Sequence, residues 1–91
     1  MAQIDIAHPH TMGREKARKA VGAIADDLRN RLQVDYHWEG DELLFNRPGA
    51  TGRIDVDDKN VRVRIDLGMF LAPMKGVVES QIRSYLDQHL S

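Results

Sequence analysis

The sequence predicts an α+β two-layer sandwich: an antiparallel β-meander with two helices on one face, in the order β-α-β-β-β-β-α. Three observations carry that prediction. Four consecutive runs between residues 34 and 67 alternate apolar and polar side chains at a period of two, the signature of strands with one covered face. Two stretches, Gly13–Leu32 and the segment after Pro73, instead place apolar residues three and four apart, which is helical spacing. The 91 residues allow one compact domain, 1–91, with no repeat, no low-complexity tract and no linker.

Taken in order, the chain opens on a short alternating strand. Ile4 and Ile6 share one side, Gln3 and Asp5 the other, and His8-Pro9 ends it. The first helix gathers Ala17, Val21, Ile24, Leu28 and Leu32 on one face, with Thr11 as the expected N-cap and Gly22 on the exposed side. Val34, Tyr36 and Trp38 then alternate with Asp35, His37 and Glu39. Gly40-Asp41 is a Gly-first hairpin signal that sets Trp38 opposite Leu43 and Tyr36 opposite Phe45. A two-residue loop at Pro48-Gly49 sets Phe45 opposite Gly52, which leaves room for the ring, and Leu43 opposite Ile54; Ala50 and Thr51 could instead lengthen this loop. The polar turn Asp57-Asp58-Lys59-Asn60 leads to Val61, Val63, Ile65 and Leu67. Pairing Val56 with Val61 places Asp55 opposite Arg62 and Arg53 opposite Arg64. After Pro73, Met74, Val78, Ile82, Tyr85 and Leu86 form the core face of the second helix.

Composition narrows the function. Thirteen Lys and Arg against fourteen Asp and Glu lack the basic surplus of an electrostatic nucleic-acid binder. The aromatics Tyr36, Trp38 and Phe45 also belong to the covered face, which removes a base-stacking platform. The absence of cysteine excludes disulfides, thiolate zinc sites and a Cys nucleophile. No apolar run approaches the ~20 residues of a membrane span, and no signal-peptide pattern follows Met1, so an intracellular chain is expected.

Candidate chemistry is sparse. His8-Pro9-His10 could present two imidazoles to a metal, but a third ligand is not at hand, and polar residues leading into a helix explain it. Asp55, Asp57, Asp58 and Asn60 lack the glycine and distal glutamate of a calcium loop, and a solvated turn accounts for them. His37, Arg53, Arg62 and Arg64 populate the polar sheet face with Asp35 and Glu39. They could assemble a ligand or acid–base site, yet alternating charge is also the ordinary way to keep an open sheet face soluble. No nucleophile in a strained turn and no phosphate loop accompanies them. No catalytic residue, metal or cofactor is therefore assigned.

The remaining feature is Leu67-Gly68-Met69-Phe70-Leu71-Ala72-Pro73-Met74, an apolar run at a strand-to-helix junction. Leu67, Leu71 and Met74 can enter the core. Met69, Phe70 and the off-face Val77 are left over, either as a packed connection or as an interaction surface.

Several segments together resemble a known family. They are His8 with the helix containing Ala17, Tyr36-His37-Trp38-Glu39-Gly40-Asp41, Arg47-Pro48-Gly49-Ala50-Thr51-Gly52, and Leu67-Gly68-Met69-Phe70-Leu71 followed by Met74-Lys75. In this order, over nearly the whole chain, they resemble the polyhydroxyalkanoic acid system family, small bacterial proteins linked with polyester storage granules. Pro73 and Gly76 interrupt what is usually a smoother second helix. The resemblance implies a cytoplasmic, granule-associated protein and carries over no catalytic residue. The expectation is a non-enzymatic accessory protein that binds a polyhydroxyalkanoate granule, or a granule-associated protein, through Met69, Phe70 and Val77. The alternatives are a ligand-binding or catalytic domain on the polar sheet face, expected to show a pocket lined by His37 and the strand arginines, or a structural homodimer (a homo-oligomer) joined at the apolar junction.

Overall fold

Strand pairing follows the alternation residue by residue. A computed structural model describes residues 2–90, apart from the side chain of Leu32, so the core position expected for Leu32 lies outside the described residues. The elements are β1 (Ala2–Pro9), α1 (Arg14–Leu32), β2 (Asp35–Glu39), β3 (Glu42–Arg47), β4 (Ala50–Val56) and β5 (Asn60–Leu67). A 3-10 turn (Ala72–Met74) then leads into α2 (Lys75–Leu90). All five strands form one antiparallel sheet in the order β1-β5-β4-β3-β2. The chain is thus α+β, in the expected order. The first strand closes the meander on its β5 side, Ile4 opposite Ile65 and Ile6 opposite Val63.

Of the three hairpin turns, the first two have two residues each. Gly40 takes φ +62° between Glu39 and Glu42, and Gly49 takes φ +89° after Pro48, between Arg47 and Ala50. The expected partners follow: Trp38–Leu43, Tyr36–Phe45, Phe45–Gly52, Leu43–Ile54 and Val56–Val61. At Gly52 a Cβ atom would lie 2.5 Å from the tip of the Phe45 ring and 2.7 Å from the Arg64 carbonyl oxygen. Only glycine fits beneath that ring.

Because β1 and β2 occupy opposite edges, α1 must carry the chain across the whole sheet. It starts beside the 40–41 and 57–60 turns, where Arg14 bonds Asp41 and Asp58, and ends where β2 begins. The corner that leads into the second helix sits against Gly49 through Leu71, and the helix finishes beside His8, which contacts Asp87 at 3.0 Å. The two helices therefore run in opposite directions over the covered face. Between them and the sheet lie Ile4, Val21, Leu43, Val61, Val63 and Leu86, each at most 2 % exposed.

Three expectations need correction. Thr11 does not cap α1. Gly13, at φ +84°, is the N-cap, and no side chain bonds the first turn, because the chain is still turning at Thr11 and the helix starts later. Met74 is not core: it sits in the 3-10 turn at 45 % exposure, and the buried stripe of α2 is Ile82, Leu86 and Leu90. The 3-10 turn winds more tightly than an α-helix, so Met74 falls out of phase with the α-helical stripe. Tyr36, Trp38 and Phe45 are on the covered face, as expected, but only half-buried. Tyr36 and Trp38 stand on an edge strand, and polar side chains of α1 close over them instead of a helix core. The Arg18 guanidinium lies 4.6 Å from the Trp38 ring centre, and Tyr36 donates a 2.5 Å hydrogen bond to Asp26.

Candidate functional site

The two ends of the sheet have opposite chemistry. At the end that holds the 40–41 and 57–60 turns, polar groups are tied to one another. His10 is buried, with Nδ1 accepting from the Met12 amide at 3.3 Å and Nε2 facing the Asp57 carbonyl at 2.9 Å. That pairing assigns the Nε2–H tautomer and leaves neither nitrogen for a metal. Asp57 accepts from the Lys59 and Asn60 amides at 2.8 and 2.5 Å, and these bonds hold its carboxyl below the ordinary value. Among the described residues no cluster of three or more metal-ligating side chains occurs.

The open sheet face is also self-paired. Arg53 and Arg64 stand directly opposite one another, and each is drawn to a different carboxylate, Glu42 at 3.5 Å and Asp55 at 2.9 Å. Arg62 forms a two-pronged bond with Asp5 at 2.7 and 3.0 Å, which lowers the Asp5 carboxyl and raises the guanidinium. His37 is exposed at the far edge, 4.0 Å from Glu39. A shallow depression on this face is lined by Arg53 and Arg64 together with Gln3, Thr51 and Asp66, but not by His37 or Arg62. The four polar-face residues thus share a face without converging on a point.

At the opposite end the chain leaves β5 through a tight, pinned corner. The Gly68 amide donates to the Gly49 carbonyl at 2.8 Å. The Gly68 carbonyl in turn accepts from Leu71 at 3.1 Å and Ala72 at 2.9 Å. In such a turn the first and last residues face the body and the middle two form the tip. Leu71 accordingly packs on the core, whereas Met69 is 81 % and Phe70 95 % exposed. Val77 (51 %) and Met74 (45 %) continue the exposed apolar side chains along the start of α2. No positive φ occurs at Met69 or Phe70, so polar residues would suit the turn equally well.

Beside this corner an apolar groove of about 260 Å3 opens between the two helices. Phe45, Ala50, Ile65 and Leu67 form its floor, Leu28 and Val34 one wall, and Leu71, Val78 and Ile82 the other, with Met74 and Val77 at the lip. One charged side chain lines it, Arg47, whose Nε is buried with no hydrogen-bond partner. Sequence reasoning missed this groove. Its one legible signal is the parity of β3, which puts Arg47 on the same side as Leu43 and Phe45.

No helix of the described residues is long and apolar enough to cross a membrane. Comparison with known proteins gives one finding. The family model described as "Putative polyhydroxyalkanoic acid system protein" matches residues 4–90. No curated protein and no solved structure matches the chain. The match takes in every element from within β1 to the end of α2, including the apolar corner and the groove, and the chain belongs to the polyhydroxyalkanoic acid system family.

Proposed function

We propose that this chain is a non-enzymatic accessory protein of the polyhydroxyalkanoate system, located in the bacterial cytoplasm and seated on the polyester granule through Met69, Phe70 and Val77. The family name ties its members to that system. The observation that carries the reading is the 95 % exposed Phe70 at the tip of a turn pinned by three backbone hydrogen bonds, beside an 81 % exposed Met69. A protruding apolar tip suits insertion into a yielding apolar surface better than recognition of a shaped partner. From Leu67 to Met74 the chain carries no charge that such a surface would have to desolvate. Burying the two tip side chains is worth about 3–6 kcal/mol before the costs of association, enough for reversible adsorption and not for permanent anchoring. The polar sheet face offers a weaker case, because Arg53, Arg62 and Arg64 are already occupied by carboxylates of the same face.

The test is co-sedimentation with polyester particles stripped of protein. The wild-type chain should pellet with the particles, and Met69→Ser/Phe70→Ser should stay in the supernatant with an unchanged circular dichroism spectrum. Pelleting of the double variant overturns the proposal. So does binding only to protein-coated granules, which would make the partner a protein. A mass near twice 10.3 kDa that the double variant abolishes would make the corner a subunit interface instead.

A further inference from the structure

The groove beside the corner is a separate feature with its own electrostatic signature. Every other arginine among the described residues lies beside a carboxylate, except Arg31, which is exposed at the end of α1. Arg47 is half-buried, projects from β3 onto the apolar side of the sheet, and has no carboxylate partner among the described residues. Arg18 and Arg64 also have a buried Nε without a hydrogen bond, but Asp41 and Asp55 compensate their charge. Arg47 lines the groove with Phe45, Ala50 and Leu67 and also borders an open depression that holds Asp66. Its Nε is buried without a hydrogen bond while the side chain as a whole stays half-exposed, so it is the one positive charge at the groove and is free to meet an anion there.

We propose that this groove binds a medium-chain monocarboxylate, its alkyl tail lying between the helices and its carboxylate paired with Arg47. The shape and the charge point to the same class. The walls are aliphatic and aromatic, so they accept methylenes, while the planar fork of Arg47 matches a carboxylate in two-pronged geometry. A groove of about 260 Å3 has room for an alkyl tail of several carbons, which sets the class as medium-chain and not acetate-sized. A dicarboxylate or a sugar finds no second polar side chain among the groove-lining residues beyond Gln81 at the edge. The groove shares only Val77, at its lip, with the proposed docking corner, and neither Met69 nor Phe70 lines it, so the two proposals can be tested apart.

Octanoate and 3-hydroxyoctanoate are the probes, with 1-octanol as the uncharged analogue, followed by titration calorimetry and by the methyl resonances of Leu71, Val78 and Ile82. Octanoate should bind saturably and shift those methyls. Arg47→Leu should weaken octanoate about tenfold or more and leave 1-octanol nearly unchanged, whereas Arg31→Leu should affect neither. Ala50→Leu, which fills the floor, should weaken all three. Tighter binding of 3-hydroxyoctanoate than octanoate would specify the hydroxyacid within the class. Absence of methyl shifts at millimolar octanoate overturns the proposal, as does equal octanoate affinity in Arg47→Leu and wild type. Arg47→Leu should still pellet with polyester particles, so the groove and the corner can fail separately.

Discussion

The two ends of the sheet are built from one chain with the same alternation, yet they finish their polar and apolar groups differently. At the end beside α1's start, buried His10 has both nitrogens matched, Asp57 closes its own turn, and Arg14 reaches two aspartates. At the other end Phe70, Met69, Met74 and Val77 face solvent, and Arg47 has an apolar setting without a counter-charge. A domain this small has little apolar surface to spare, and a turn tip accepts polar residues readily. The difference teaches that one end satisfies its polar groups within the chain, whereas the other leaves apolar side chains and one arginine facing solvent.

Four experiments would break or sharpen that contrast, and the largest effect belongs to the finished end. Leu86 is 1 % exposed in the α2 stripe, so Leu86→Ala should destabilise by about 2–5 kcal/mol in urea denaturation. A loss below about 1 kcal/mol would show that α2 is not seated there as described. Next comes the site under Phe45, in the floor of the groove. Gly52→Ala must displace both the Phe45 ring and a backbone carbonyl, and should cost about 1–3 kcal/mol. Adding Phe45→Leu should recover only part of that loss, because the Arg64 carbonyl remains 2.7 Å from the new methyl. Full recovery would mean that the ring alone sets the glycine.

The third experiment varies pH. Hydrogen bonds from Arg62 lower the Asp5 carboxyl and backbone amides lower that of Asp57, so both have folded values below the unfolded value of about 3.9. Their contribution is complete above that value and is lost as pH falls through the folded values. Glu42 runs the other way: its hydrogen bond with Asp55 raises it, so its contribution is lost as pH rises through its folded value. The urea midpoint should therefore fall as pH drops below about 4, and Asp57→Asn, which keeps the acceptor but not the titration, should flatten that fall. A midpoint that holds steady or rises on acidification would remove the carboxylates from the account. The smallest effect is expected at the open end. Met69→Ser/Phe70→Ser should change stability by no more than about 0.5 kcal/mol, and a larger loss would make the corner ordinary core.

Much of this architecture is legible in the sequence because period-two alternation and glycine-bearing turns are local. Gly40 and Gly49 each adopt the positive φ that their turns require, and those two turns fix the register of three strands. Register in turn settled which arginines share the open face. The exposed corner was half legible: Met69, Phe70 and Val77 stand out as surplus to the helical stripe, whereas Met74 was misplaced because nothing local announces a 3-10 turn before α2. Thr11 misled for a related reason, since a good capping residue caps nothing when the N-cap position falls two residues beyond it, at Gly13.

By itself, then, the sequence determined the element order, the strand partners and the identity of the two sheet faces, all of which follow from side-chain parity and turn chemistry within a few residues. Tertiary structure decided what happens where helices and sheet meet. It left the edge aromatics under polar side chains of α1, gave buried His10 partners from the 57–60 turn and its own loop, and opened an apolar groove beside Arg47. Those outcomes depend on how far each helix reaches across a twisted sheet. No residue's own pattern encodes that distance, because it is set by the packing of side chains far apart in the chain.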